Sequence, residues 1–190
     1  HGTAKDFLLL APIVVFVSKL FRKKVSLRKF AGNFYDFYSD SNAIIKYFYA
    51  FALKRADVVF FETKYLVEKF KPFNDKTYWW ANSRNPSSFK KESLFDKKFI
   101  FLSQVKKTKG IFEFIEAAES LDDSFTFDVF GPILEDEIKN ALSKSSKVNY
   151  YGVLEPHDVA KTLVDYDVLI LPSFHEGEGY PGIIIECFSC

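Results

Sequence analysis

Four short apolar runs, each closed by a glycine, a proline or a hydroxyl residue, constrain this chain more than any other feature. They are KKFIFLS (97–103), FTFDVF (125–130, then Gly131-Pro132), VNYYG (148–152) and DVLILPS (167–173). Helical stretches separate them. Gly110 precedes a helix with Ile111, Phe114, Ile115, Ala118 and Leu121 on one face. LEDEIKNALSK (134–144) reads as a second helix, and PHDVAKTLVDY (156–166) as a third with Pro156 at its first position. Strands that alternate with helices over short connections imply parallel sheets covered by helices.

The first half carries the same alternation. Residues 5–22 read as a helix and KVSLRKF (24–30) as a strand. Ile44, Ile45, Phe48, Phe51 and Ala52 have helical spacing within 42–55. DVVFFET (57–63) reads as a buried strand, KYLVEKF (64–70) as a short helix stopped by Pro72, and TYWWANSR (77–84) as a last strand or extended segment. The polar stretch 85–97, with Pro86, Ser87 and Ser88, has the character of an inter-domain linker. LKRADVVFFET (53–63) and LVDYDVLILPS (163–173) echo one another: helix end, Asp, apolar run, hydroxyl residue. Two related Rossmann-like domains explain the echo, and so does coincidence, because helix–Asp–strand is a common join.

Composition narrows the class. With 48% apolar and 27% charged residues a well-buried core is expected, and a net charge of +1 does not favour nucleic acid as a partner. The apolar run Phe7–Val17, broken by Pro12, is too short for a span of about 20 residues. It lacks the basic leader and small-residue cleavage site of a signal peptide. Lys19, Arg22, Lys23 and Lys24 follow it, so a buried helix with a basic end and a membrane-surface helix both fit. The chain has no Met and opens on His1, which reads as an internal fragment of a longer protein. Cys187 and Cys190 form a C-x-x-C, either a redox pair or two small residues on one helix face; one pair alone does not support structural zinc.

The chemistry concentrates after the last strand, in HEGEGYPGIIIECFSC (175–190). Strand, glycine loop and helix N-terminus together are a common phosphate seat. Pro181 suits the first helical position, and Gly182 removes bulk where a ligand could approach. The N–H groups of Gly182 and Ile183 would then face an anion. Glu178 and Glu186 have seven residues between them, but twelve Glu in 190 positions give about 0.7 such pairs by chance, so only the setting gives the spacing meaning. Glu186, about one turn into the helix, faces back toward the loop and could accept hydrogen bonds from sugar hydroxyls. Asp165-Tyr166-Asp167 is a D-x-D, a pair of carboxylates at a spacing that can hold a metal. Thirteen Asp give about 0.9 such pairs by chance, and no metal is expected there. His157 and His175 lack partner ligands at metal spacing and read as surface residues.

The ordered set D-V-L-I-L-P-S, then E-G-Y-P-G-I-I-I-E, resembles the donor-site signature of the retaining GT-B glycosyltransferases of group 1. FIFLSQVKKTKGIFEFIEAA (99–118) is similar to the opening strand and loop of that family's nucleotide domain, with Lys109-Gly110 matching its Lys-Gly. NYYGVLEP (149–156) is similar to the strand–Gly–Val loop that lies against the base. Gln104 stands where the family usually has Arg, and Ser103 where it usually has Gly; Lys106 or Lys107 could stand in for the lost cation. The resemblance covers about 98–190, and 1–84 fit only loosely.

It implies an α/β chain of two Rossmann-like domains of GT-B type, both incomplete. These are a partial N-terminal acceptor-side domain (1–84), a linker (85–97) and a partial C-terminal nucleotide-sugar-binding domain (98–190). Carried over by the matches, Glu186 holds the donor ribose and Glu178 faces the donor sugar or the reacting centre. Lys109 neutralises the departing diphosphate, and Gln104, Gly152, Val153, Gly179, Tyr180, Pro181, Gly182 and Ile183 line the donor. His1 could match a family histidine at an H-x-H strand end, or have no role. The implied activity is transfer from a UDP- or GDP-sugar, with retention, to a glycan or lipid-linked glycan. It would need no metal or other cofactor and would proceed by front-face attack with the donor phosphate as base. The location implied is cytoplasmic, with a peripheral contact at the inner face of a membrane. Two competitors remain. One is a non-catalytic nucleotide-binding module or degenerate paralogue, motivated by Gln104 and Ser103. The other is a glycoside hydrolase using Glu178 and Glu186 as its carboxylate pair.

Overall fold

Alternating apolar strands and one-sided helices resolve into two α/β units, each built on a parallel sheet. The computed structural model describes residues 4–30, 32–92 and 94–190. The first unit holds the residues up to Asn82 together with Glu176–Tyr180; the second holds Ser83–His175 and Pro181–Cys190.

The first unit runs α1 (Ala4–Leu20), β1 (Ser26–Lys29), α2 (Phe34–Asp40), α3 (Ala43–Arg55), β2 (Val58–Phe61), α4 (Lys64–Phe70) and β3 (Thr77–Trp79). The sheet order is β1-β2-β3, with Ser26 opposite Val58 and Val59 opposite Thr77. Alternation along the strands turns Leu27, Val59 and Phe61 into a core shared with Phe34, Tyr49 and Phe70. The Phe61 and Phe70 rings stack at 4.8 Å, and Phe34 meets Tyr49 edge-on at 5.3 Å. Side-chain caps start two of the helices: Asn42 accepts from the Ile45 N–H at 2.9 Å and Thr63 from the Leu66 N–H at 3.2 Å.

Helix α1 is buried on one side only. Ala11 and Val15 enter the core, while Leu9, Leu10, Ile13, Phe16 and Leu20 are exposed. No described helix is long and apolar enough to cross a membrane. Two expectations change in this unit. Helix α2, which has no clear apolar period, is added, and the segment 77–84 is strand only over Thr77–Trp79.

The second unit runs β4 (Lys98–Leu102), α5 (Ile111–Glu119), β5 (Thr126–Phe130), α6 (Asp136–Lys144), β6 (Val148–Tyr150), α7 (Val159–Leu163), β7 (Val168–Leu169) and α8 (Gly182–Ser189). Its sheet order is β6-β5-β4-β7, all parallel. The segment 85–97 belongs to this unit, where the Asp96 N–H reaches Asp167 Oδ2 at 3.0 Å. The helix expected over 156–166 is shorter than its pattern. Pro156 lies in a turn closed by the Asp158 N–H on the Glu155 carbonyl (2.9 Å), and the helix begins at Val159. Strand β7 is also short. The Ile170 N–H still reaches the Ile100 carbonyl at 2.8 Å, but Pro172 has no N–H to continue the ladder.

The sequence echo has a structural counterpart. The Asp57 N–H donates to the Val25 carbonyl at 2.9 Å, and its carboxylate accepts from the Val25 N–H at 2.7 Å. The Asp167 N–H donates to the Lys98 carbonyl at 2.8 Å, and its carboxylate accepts from the Lys98 N–H at 2.7 Å. Each aspartate therefore ties the entry of its strand to the entry of the neighbouring one. Each also holds a lysine, Lys19 at 2.6 Å and Lys91 at 3.2 Å. Hydrogen bonds to the charged form hold both carboxyls below the usual carboxylate range, chiefly from Lys19 and then Val25 for Asp57, and from the Lys98 N–H for Asp167.

Candidate functional site

In the second unit the strand order proceeds β6-β5-β4 and then passes to β7 on the far side of β4. In open parallel sheets, ligands bind outside the carboxyl ends of the strands at such a reversal. The two loops that leave it are 103–110 after β4 and 170–181 after β7, and they carry most of the residues singled out from the sequence.

These loops are tied to each other. The Phe174 N–H donates to the Thr108 carbonyl at 3.1 Å. Gly110 ends a 3-10 turn over Lys107–Lys109 and begins α5 with φ of 80°, a left-handed conformation. A Cβ there would lie 2.6 Å from Pro172 Cγ and 2.8 Å from Pro172 C. The glycine of Lys109-Gly110 is thus required both by its φ and by the approach of the β7 loop. Lys109 is half-buried on that turn, and Gln104 is exposed at the carboxyl end of β4. Gly152 follows β6 with φ of 83°, and no atom lies within 4 Å of where its Cβ would stand. Its carbonyl accepts from the Gly131 N–H at 2.7 Å, and Val153 beside it is exposed.

Helix α8 starts at Gly182, with Pro181 as its N-cap rather than its first residue. The first N–H groups of any α-helix, here those of Gly182 and Ile183, have no acceptor within the helix. The room that Gly182 leaves is occupied by a residue the sequence did not point to. A Cβ on Gly182 would lie 2.6 Å from Arg84 Cζ and closer still to its Nη2. Arg84 Nε pairs with Glu186 Oε1, and its Nη1 donates to the Ser83 carbonyl at 3.0 Å. The sequence offers no signal for this pair, because 102 positions separate the partners. At the other end of α8, Lys90 Nζ donates to the Ser189 carbonyl at 2.5 Å, a cation suited to a helix C-terminus.

The loop Glu176–Tyr180, with Glu178 and Gly179, groups with the first unit, whereas Glu186 lies in the second. The Gly32 N–H donates to the Gly177 carbonyl at 3.3 Å, the Tyr180 N–H to buried Glu62 Oε1 at 3.0 Å, and Asn82 Nδ2 to the Tyr180 carbonyl at 3.1 Å. Gly179 lies against the same carboxylate: a Cβ there would stand 2.6 Å from Glu62 Oε2. Glu62 is a second residue that the sequence reading missed, since it reads as the end of an apolar strand.

The D-x-D segment serves the fold. Asp167 caps the sheet as described, with its side chain only 3% exposed. Tyr166 donates to Asp128 Oδ2 at 2.6 Å, and Asn149 Nδ2 donates to Asp128 Oδ1 at 2.9 Å, so this buried carboxylate in the middle of β5 is satisfied. Burial first, and then the Asp128 carboxylate, push the Tyr166 hydroxyl well above its ordinary range. Among the described residues no group of three or more His, Cys, Asp or Glu side chains is arranged to hold a metal. His157 is exposed beside Asp158, and the His175 N–H donates to Ser173 Oγ at 3.3 Å. His1 lies outside the described residues. The cysteines are free and half-buried: Cys190 Sγ donates to the Glu186 carbonyl at 3.2 Å, and burial pushes the Cys187 thiol up. A raised thiol suits packing rather than redox exchange.

A profile of the glycosyl transferases of group 1 matches residues 84–190, more than half of the chain. No curated protein sequence matches significantly. Solved structures match over nearly the whole chain. Anabaena HepE in complex with UDP is 13% identical with a TM-score of 0.76, covering 96% of this chain and 56% of HepE. HepE in complex with UDP-glucose is 14% identical with a TM-score of 0.69, covering 99% of this chain and 56% of HepE. A variant of S. aureus TarM in complex with fondaparinux, alpha-GlcNAc-glycerol and UDP is 18% identical with a TM-score of 0.67, covering 91% of this chain and 37% of TarM. The chain therefore spans between about a third and just over half of these relatives, and at such identities the likeness is one of fold.

Proposed function

Because the chain belongs to the glycosyl transferases of group 1, we propose that the protein it represents transfers a sugar from a nucleotide-sugar donor to a glycan or lipid-linked acceptor, with retention of configuration. One observation carries the reading. Strand β7 pairs with β4 at the reversal of the strand order, inside the matched region, and the P-G-I-I-I-E stretch that opens α8 is the next regular element of the same unit. Such a reversal is where an open parallel sheet binds a nucleotide.

The roles follow from chemistry. As the glycosidic bond breaks, the leaving diphosphate gains charge; Lys109, close to the reversal, supplies a preorganised cation with no metal. Glu186 accepts hydrogen bonds from the donor ribose. Glu178 faces the donor sugar, its loop held by Glu62 and Asn82 through the Tyr180 backbone. Gly152 and Val153, open at the end of β6, suit contact with the base. Gln104, Gly179, Tyr180, Pro181, Gly182 and Ile183 complete the donor lining. The UDP and UDP-glucose complexes of HepE favour UDP over GDP as the nucleotide.

The exposed apolar side of α1, followed by exposed Arg22, Lys23 and Lys24, supports a peripheral contact with an anionic membrane at its cytoplasmic face. Exposed Gln104, in place of the usual arginine, favours one competitor, a nucleotide-binding module without turnover.

Both readings are tested by UDP- and GDP-sugar hydrolysis with the full-length protein and its Glu186→Ala and Lys109→Ala variants. The transferase reading expects turnover that falls in both variants. Turnover unchanged in both removes the site assignment, and nucleotide binding without sugar release selects the non-catalytic module.

A further inference from the structure

The Arg84–Glu186 pair joins the entry to the second unit with the helix that carries the proposed ribose carboxylate, and nothing in the family resemblance assigns Arg84 a role. We propose that Arg84 is the positioning residue of Glu186: it holds one carboxylate oxygen so that the other is presented to the ribose hydroxyls of the donor. The inference rests on the proposed assignment of Glu186 to that ribose.

Three observations converge. On α8 the same-face neighbours of Glu186 are Gly182 and Ile183 on one side and Ser189 and Cys190 on the other, and the Ser189 hydroxyl donates to the Glu186 backbone carbonyl (2.8 Å) rather than to its carboxylate. Arg84 Nε pairs with Oε1, and Oε2 keeps its own lone pairs on the other side of the carboxylate. The arginine is itself held in place, by its Nη1 bond to the Ser83 carbonyl and by close packing over Gly182, where any larger residue would displace it. A guanidinium is a planar fork, so a carboxylate it holds has a defined orientation, which a lysine ammonium does not impose. Gly182, whose backbone is proposed to line the donor, thereby acquires a second reason for lacking a side chain: it is the floor on which Arg84 lies.

The test uses the full-length protein and calorimetric titration of UDP, GDP and their 2′,3′-dideoxy counterparts. In the parent protein the ribose hydroxyls strengthen binding, so the natural nucleotide binds more tightly than its dideoxy form. Arg84→Ala is expected to weaken the natural nucleotide about tenfold, the range of one charge-assisted hydrogen bond, while leaving the dideoxy form unmoved. Arg84→Lys should recover only part of the loss. In a Glu186→Gln background, Arg84→Ala should add little, because the two act as one unit.

Equal weakening of natural and dideoxy nucleotides by Arg84→Ala would overturn the inference, as would additivity with Glu186→Gln or full rescue by Lys. These outcomes differ from failure of the underlying reading, in which Glu186→Gln itself leaves the ribose discrimination intact. A Gly182→Ala variant provides a second route if Arg84→Ala fails to fold: it should reproduce the loss of ribose discrimination while retaining the arginine, and unchanged discrimination counts against the proposal.

Discussion

Gly110 and Gly152 form a matched pair within one unit that separates two kinds of glycine requirement. Both have a left-handed backbone, with φ of 80° and 83°. Replacing either by Ala imposes the same conformational strain, about 1–2 kcal/mol, and the same small entropic gain from a stiffer unfolded chain, about 0.4–1 kcal/mol. Only Gly110 has a neighbour in the way: its Cβ would stand 2.6 Å from Pro172 Cγ and 2.8 Å from Pro172 C, whereas nothing lies within 4 Å of the Gly152 position. The obstruction is backbone and a proline ring, neither of which can rotate aside, so overpacking adds about 1–3 kcal/mol. Gly110→Ala should therefore cost about 1–3 kcal/mol more than Gly152→Ala.

Tryptophan fluorescence cannot read this difference, because Trp79 and Trp80 both lie in the first unit. Hydrogen-exchange mass spectrometry on peptides from β4 and β5 can. Their slowest amides should exchange roughly 5- to 150-fold faster in Gly110→Ala than in Gly152→Ala. Equal exchange in the two variants would refute the packing of the β7 loop on Gly110, and with it the placement of Lys109 beside that loop.

Acidification should weaken both units through their paired aspartates. Asp57 and Asp167 have folded values below the unfolded carboxylate value of about 3.9. The stability they contribute is therefore present above that value and is lost as pH falls through it toward the folded values. Asp57→Asn should flatten the acid limb of urea unfolding followed by tryptophan fluorescence, and Asp167→Asn the acid limb of exchange in β4; an acid limb unchanged in both variants would count against the strand-entry bonds. Tyr166→Phe should destabilise the second unit by about 1–3 kcal/mol, measured by exchange in β5, because buried Asp128 loses one of its donors. A cost near zero would mean that Asp128 is satisfied without the tyrosine.

The alternation of apolar runs and helical spacing was enough to read the element order, because buried parallel strands need apolar side chains on both faces. DVVFFET and KKFIFLS could hardly be anything else. The misreadings have local causes. PHDVAKTLVDY has helical spacing throughout, but a turn at Pro156 uses its first residues. FYDFYSD forms helix α2 although its aromatics have no single-face period. The Lys109-Gly110 pair was legible from the motif, and its geometric reason is the Pro172 approach. Arg84, Glu62 and Asp128 were not legible, since each has a polar partner that lies far away in sequence.

What the residues alone determined is the class of fold and the segments that match the family's motifs, because propensity, periodicity and glycine placement act within a few neighbouring positions. Only the tertiary structure decided which groups meet. It brings Arg84 to Glu186, sets Glu62 beneath the loop of Glu178, and turns the D-x-D into a strand-entry cap, because a parallel sheet brings together side chains whose distance along the chain exceeds the reach of any local pattern.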